Sequence, residues 1–247
     1  MRVSVEVCVT SVGEAMAAER CGADSIELCT WLACGGVTPS IGLVQEVTAL
    51  ISIPLRILVR PTPGDFVYSA EEQRVILRDL DALAKTVGVH RIVIGALDAN
   101  GLPDERFLEQ AMAKANGLET TFHRAIDRSA DLQVAFARCI TMGIERILTS
   151  GGASLASDGT ASIAWMVGQA PPGMRIAAAG GINADNVLGL VERTGVQEIH
   201  FAAQFPVEAA PERVALSSTH TSVICNTRPD VAKIEGVLNA LSKAGLR

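Results

Sequence analysis

Along this chain, hydrophobic and polar positions follow two rhythms that take turns: short stretches with a period of two and longer ones with a period near 3.6. Residues 3 to 9 alternate as a strand, and Ser11 then stands where it can cap a helix whose apolar positions Val12, Ala15, Met16 and Ala18 share one face, with Gly22 ending it. The same sequence of events recurs. Strands are predicted at 24–29, 54–60, 91–95, 118–123, 145–150, 175–179 and 198–201, with helices at 40–50, 69–87, 131–142, 160–168 and 184–194 and another opened by Pro103. Ser69 and Glu72 have the spacing of a capping box. Eight such strand–helix units joined by short connections predict an α/β fold, a (β/α)8 TIM barrel, with an open doubly wound sheet as the runner-up.

Nothing in the pattern divides the chain, so its 247 residues read as one domain, with the barrel over about 3–204 and a C-terminal extension over 205–247. In that extension a long polar loop, 205–226, precedes a final amphipathic helix at 229–244. A loop of that length serves function or self-association, or is disordered, and the sequence leaves the three open.

Composition narrows the field. An apolar fraction of 49% with few aromatics suits helices packed on buried parallel strands. A net charge of −6 offers no basic field, which argues against nucleic acid or an anionic membrane surface as partner. The N-terminal residues enter strand alternation directly, without an apolar run ahead of a cleavage site, and no stretch suggests a membrane span. We therefore expect a cytoplasmic protein in which Cys8, Cys21, Cys29, Cys34, Cys139 and Cys225 are reduced thiols.

Two stretches repeat one another. Val5-Glu6-Val7-Cys8-Val9 and Ile26-Glu27-Leu28-Cys29-Thr30 each place a Glu and a Cys on one face of a strand, which for neighbouring parallel strands predicts two carboxylates in one layer and two thiols in the next. Each thiol alone reads equally as a small core residue; together, two thiolates could hold Cu(I). In a parallel barrel, chemistry collects at the C-terminal ends of the strands. There this sequence sets Glu6, Glu27, Arg60, Asp65, Asp98, His123, Arg124, Asp127, Thr149, Ser150 and His200.

Two carboxylates, two arginines and two histidines around one cavity would suit acid–base work on an anionic or polyhydroxyl ligand, with His123 tuned to neutral pH and Arg60 or Arg124 orienting the molecule. The structural alternative pairs Glu6 and Glu27 with Arg60 or Arg124 as ion pairs on the barrel floor. The Gly-rich turns Thr149-Ser150-Gly151-Gly152 and Gly180-Gly181 offer backbone N–H groups to an anion, whereas His90 and His220 read as surface or loop residues.

Glu6-Val7-Cys8, Gly22-Ala23-Asp24 with Ile26-Glu27-Leu28-Cys29, Gly35-Gly36-Val37-Thr38-Pro39-Ser40, Gly64-Asp65-Phe66, Thr121-Phe122-His123-Arg124-Ala125 with Asp127, and Leu148-Thr149-Ser150-Gly151, in this order, resemble the CutC family, called copper homeostasis proteins. The resemblance covers about residues 5–201. It implies a cytoplasmic TIM barrel that self-associates and binds Cu(I) through the thiols at Cys8 and Cys29. The chain departs from the family's pattern at Thr62, where the family commonly has Arg, and after His200. The rival expectation is an enzyme acting on a small anionic or sugar-like molecule, with His123 and Glu6 or Glu27 as the acid–base pair.

Overall fold

The computed structural model describes residues 1–206 and 227–247. Its centre is a closed barrel of eight parallel strands in sequence order: β1 (Ser4–Val9), β2 (Ser25–Leu28), β3 (Leu55–Leu58), β4 (Arg91–Ile94), β5 (Glu119–Phe122), β6 (Arg146–Thr149), β7 (Arg175–Ala179) and β8 (Glu198–Ala202). β8 pairs with β1 and closes the ring. Helices α1 (Val12–Cys21), α2 (Ile41–Leu50), α3 (Ala70–Ala84), α4 (Glu105–Ala115), α5 (Leu132–Thr141), α6 (Thr160–Gln169) and α7 (Val187–Thr194) follow the first seven strands. A short antiparallel pair, β9 (Gln204–Pro206) and β10 (Thr227–Pro229), then leads into α8 (Val231–Lys243). The TIM barrel read from the sequence is the fold observed, and the open sheet is excluded by closure. From residue 207 onward the expected C-terminal loop, with His220 and Cys225, lies outside the described residues.

Local chemistry sets the boundaries. Ser11, Ser40 and Ser69 each accept a hydrogen bond from the backbone N–H three residues on, Asp131 accepts from Gln133 and Val134, and Ser69 and Glu72 form the complete capping box. Two short 3-10 segments, Leu32–Cys34 and Arg124–Arg128, were not expected; both lie in loops at the C-terminal end of the barrel.

Branched aliphatics such as Val5, Ile26, Ile57, Ile92 and Ile147 project outward from the strands to pack beneath the helices. The barrel's lower interior, by contrast, is charged. Glu6 accepts from Arg56 (2.7 Å) and Arg146 (2.9 Å), Arg146 also donates to Glu198 (2.6 Å), and Glu119 gathers Arg56 (2.9 Å), Arg91 (3.0 Å) and Arg175 (2.5 Å). Arg146 is wholly buried. Desolvating such ions costs several kcal/mol each, which only reciprocal pairing offsets. The partners of Glu6 are therefore Arg56 and Arg146, not Arg60 or Arg124 as the structural alternative had it. They sit as single charges inside apolar strand runs, Leu55-Arg56-Ile57 and Arg146-Ile147, the one signal by which the sequence marked them.

Candidate active site at the barrel mouth

A cavity of about 800 Å³ opens above this ionic floor. Cys8, Glu27, Leu58, Leu148 and His200 form its base, and Arg60, Phe66, His123, Arg124, Asp127, Gly180, Gly181 and Lys233 stand around it. The volume suits a small molecule.

The strand register revises the expected layers. Cys8 lies level with Glu27, and Glu6 with Ser25, so the two repeated motifs are offset by two residues and carboxylate meets thiol instead of carboxylate. Barrel closure requires this stagger between adjacent strands. Glu6 therefore belongs to the floor and does not line the cavity, while Glu27 does. Cys29 Sγ lies 3.6 Å from Cys8 Sγ but behind it, fully buried and packed with Leu58 and Val93. Gly36 makes room for it: φ is +86° there, and a Cβ would come within 3.2 Å of Cys29 Sγ.

The two carboxyls differ in electrostatics. Burial disfavours the charge on Glu6, yet the Arg146 and Arg56 guanidinium groups and the His200 hydrogen bond overcome it and hold the carboxyl well below its usual range. Among the described residues Glu27 pairs with no cation and its Oε2 has no partner; burial pushes its pKa up. The Cys8 thiol is pushed well up by its contact with Cys29 and by burial. One oxygen of Glu27, Cys8 Sγ and a His200 ring nitrogen all lie within 4.8 Å of one another, close enough to share a metal ion. His200 Nδ1 is 3.0 Å from Glu6 Oε1. Because Glu6 is held ionised, Nδ1 donates to it, which in the neutral tautomer leaves the lone pair on Nε2.

His123 is held in a different way. Its Nδ1 accepts from the Ala125 N–H (3.1 Å), so in the neutral ring the proton is on Nε2, which has no partner among the described residues. Burial first, then the Arg60 charge, lowers its pKa to about 3. The sequence suggested an imidazole tuned to neutral pH; in the structure burial and the Arg60 charge favour the neutral ring instead. Gly95, which sequence reasoning passed over, is what admits the ring, since a Cβ there would overlap it.

The Gly-rich turn after β6 is already occupied from within. The Asp127 carboxylate accepts from Thr149 Oγ1 (2.6 Å), the Ser150 N–H (2.9 Å) and hydroxyl (2.9 Å), the Gly152 N–H (3.0 Å) and Arg124 Nε (2.8 Å). Thr149, Ser150 and Gly151 do not line the cavity, and the donors expected to grip an anion hold Asp127 instead. Gly180 and Gly181 do line it. Asp98 lies elsewhere, accepting from Asn100 and Leu102 N–H groups and pairing with Arg138 at 3.3 Å. Asp65 lines the mouth and closes its own turn onto Val67 N–H. His90 is exposed, as expected. Lys233, in the first turn of α8, enters the cavity wall and was missed because it follows the segment where the barrel pattern ends.

The CutC family's sequence model matches residues 3–205. The chain belongs to the CutC family. A CutC family protein of Glaesserella parasuis serovar 5 is 39% identical over 242 residues, covering 97% of this chain and 99% of that one. One from Xanthomonas campestris pv. campestris (strain 8004) is 38% identical, covering 98% of this chain and 100% of that one. A crystal structure of a CutC from Streptococcus agalactiae, described there as a candidate copper homeostasis protein, superposes with a TM-score of 0.76 at 27% identity over 81% of this chain and 98% of that one. Phosphoribosylanthranilate isomerase from Thermotoga maritima, TM-score 0.61 at 12% identity and covering 98% of this chain and 99% of that one, shares the fold alone. Among the described residues of this CutC chain, no helix is long and apolar enough to cross a membrane.

Proposed function

We propose that this chain binds copper as Cu(I) at the base of the mouth, in keeping with the copper homeostasis named for its Streptococcus agalactiae relative. The observation that carries the reading is the convergence of Cys8, Glu27 and His200 donor atoms within 4.8 Å on an open cavity. A thiolate and an imidazole are donors a soft ion prefers, and Glu6 fixes the imidazole as an outer-shell carboxylate does in metal sites. Cys29 lies behind the site with its Sγ 3.6 Å from Cys8 Sγ, where it stands as a second sulfur donor. Metal binding must expel the Cys8 thiol proton. Titration with Cu(I) against a competing chelator tests the reading: Cys8→Ser and His200→Ala should each weaken binding by roughly 10-fold or more, and Cys29→Ser by less. Undiminished affinity in Cys8→Ser would end the proposal.

A second reading, an enzyme doing acid–base chemistry on a small anionic or sugar-like molecule, is favoured by Glu27, whose raised pKa and unpartnered Oε2 make it a proton donor at the cavity base. Turnover of such a compound, lost in Glu27→Gln, is its test.

A further inference from the structure

Arg60 is a buried cation, 4% exposed, that has no carboxylate partner among the described residues. Its guanidinium donates only to neutral carbonyls: Nη1 to Cys34 (3.1 Å) and Gly36 (2.8 Å), Nη2 to Gly64 (2.8 Å), with Nε unpartnered. Those bonds fix the group's orientation but leave its charge uncancelled, an arrangement that an arriving anion would stabilise. The group lines the cavity.

The ring of Phe66 lies against both Arg60, whose Cζ is 5.1 Å from the ring centre, and His123, at 4.8 Å between ring centres. His123, 5% exposed, brings to the same wall an Nε2–H with nothing to donate to. Its tautomer is set by the Ala125 N–H, so the donor cannot turn into an acceptor.

The remaining charges point the same way. Besides Arg60, the cavity is lined by Arg124, Arg128 and Lys233, against three carboxyls: Asp127, saturated by the turn it holds and by Arg124, Glu27, which faces Cys8, and Asp65, which closes its own turn. In a chain of net charge −6, the mouth is a local excess of cations.

We propose that Arg60 and His123, sharing the Phe66 ring, form a subsite for the oxyanion group, carboxylate or phosphate, of a small hydroxyl-bearing molecule. This deepens the acid–base reading by naming the class of ligand and does not depend on copper. Arg60 Nε and His123 Nε2 are themselves buried, so the ligand reaches them only when the Phe66 ring turns aside; the Phe66 carbonyl accepts from the Leu97 N–H (2.8 Å), which holds the backbone beneath that ring.

The test is calorimetric titration of the full chain, kept metal-free with a Cu(I) chelator, against inorganic phosphate, D-glucose 6-phosphate, D-gluconate and D-glucose. At least one anion should bind and neutral glucose should not. Preference for both phosphates assigns the group as phosphate, and preference for gluconate assigns it as carboxylate. His123→Asn keeps an acceptor for the Ala125 N–H and removes the Nε2 donor; it should weaken the anion at least tenfold, as should Arg60→Lys, which keeps the charge and loses the fork. Circular dichroism checks folding, and His123→Asn alone decides should Arg60→Lys misfold. Absence of anion binding, or equal affinity in His123→Asn, overturns the subsite. Anion binding without conversion of any ligand leaves the subsite standing and counts against the acid–base reading.

Discussion

His200 Nδ1 lies 3.0 Å from Glu6 Oε1, so the histidine at the cavity base is aimed by a carboxylate that belongs to the ionic floor and never reaches the cavity itself. One hydrogen bond thus joins the floor to the mouth. A change in the floor should be felt at the site.

Glu6→Gln tests that coupling. Removing the charge leaves Arg56 and Arg146 facing each other across a neutral amide, a loss expected to cost about 3–5 kcal/mol in a buried network. Cu(I) affinity should also fall, by roughly 10- to 100-fold, because His200 loses its orienting partner. Urea unfolding measures the first and chelator competition the second; a stable variant with unchanged affinity would show that floor and mouth are independent.

The neutral imidazole of His123 gives a pH signature. Its folded pKa of about 3 lies below the ordinary 6.5, so between those values the unfolded chain binds a proton that the native state does not. Stability is fully present above about pH 6.5 and falls as pH drops, by about 1.4 kcal/mol per pH unit for one proton. His123→Asn should lose less stability than the wild type between pH 7 and pH 5. Parallel curves in denaturant titrations would refute the assignment.

Acid should act on the floor at lower pH. The carboxyls of Glu6 and Glu119 are held below their usual range, so their contributions are present above about pH 4.5 and are lost as pH falls through the depressed values. A steep drop in the unfolding midpoint below pH 4.5, reduced in Glu119→Gln, is expected from a thermal scan series.

Asp127 holds the turn after β6 in place of a ligand. Asp127→Asn should cost about 1–3 kcal/mol, since charge-assisted hydrogen bonds become neutral ones and the amide cannot accept from every donor. Hydrogen exchange should quicken at the Ser150 and Gly152 amides; protection equal to the wild type would mean the latch is not what orders the turn.

At Gly36 the backbone is left-handed, and an added Cβ would lie 2.9 Å from Leu58 Cδ2 as well as close to Cys29. Gly36→Ala should therefore destabilise by about 1–2 kcal/mol from backbone strain alone and push Cys29 from its place behind Cys8. An unfolding midpoint equal to the wild type's would contradict this packing.

What the sequence determined by itself is local. Ser11, Ser40, Ser69 with Glu72, and Asp131 announce helix starts because a cap satisfies N–H groups only a few residues away, and strand alternation announces which side chains face inward because the period of two is built into the extended backbone. On those grounds the barrel, and the inward faces of Glu6, Cys8, Glu27 and His200, were legible. Tertiary structure alone decided the rest. The level at which one strand meets the next is fixed by closure of the whole ring, so nothing inside β1 or β2 could say that Cys8 would stand beside Glu27 and Glu6 beside Ser25. For the same reason Arg56 and Arg146, 50 and 140 residues away, became the partners of Glu6, and Asp127 took the donors that the turn at Ser150 would otherwise have offered to a ligand. A charge in the interior is stabilised by whichever opposite charge the closed barrel brings within about 3 Å, and that distance is a property of the closed ring.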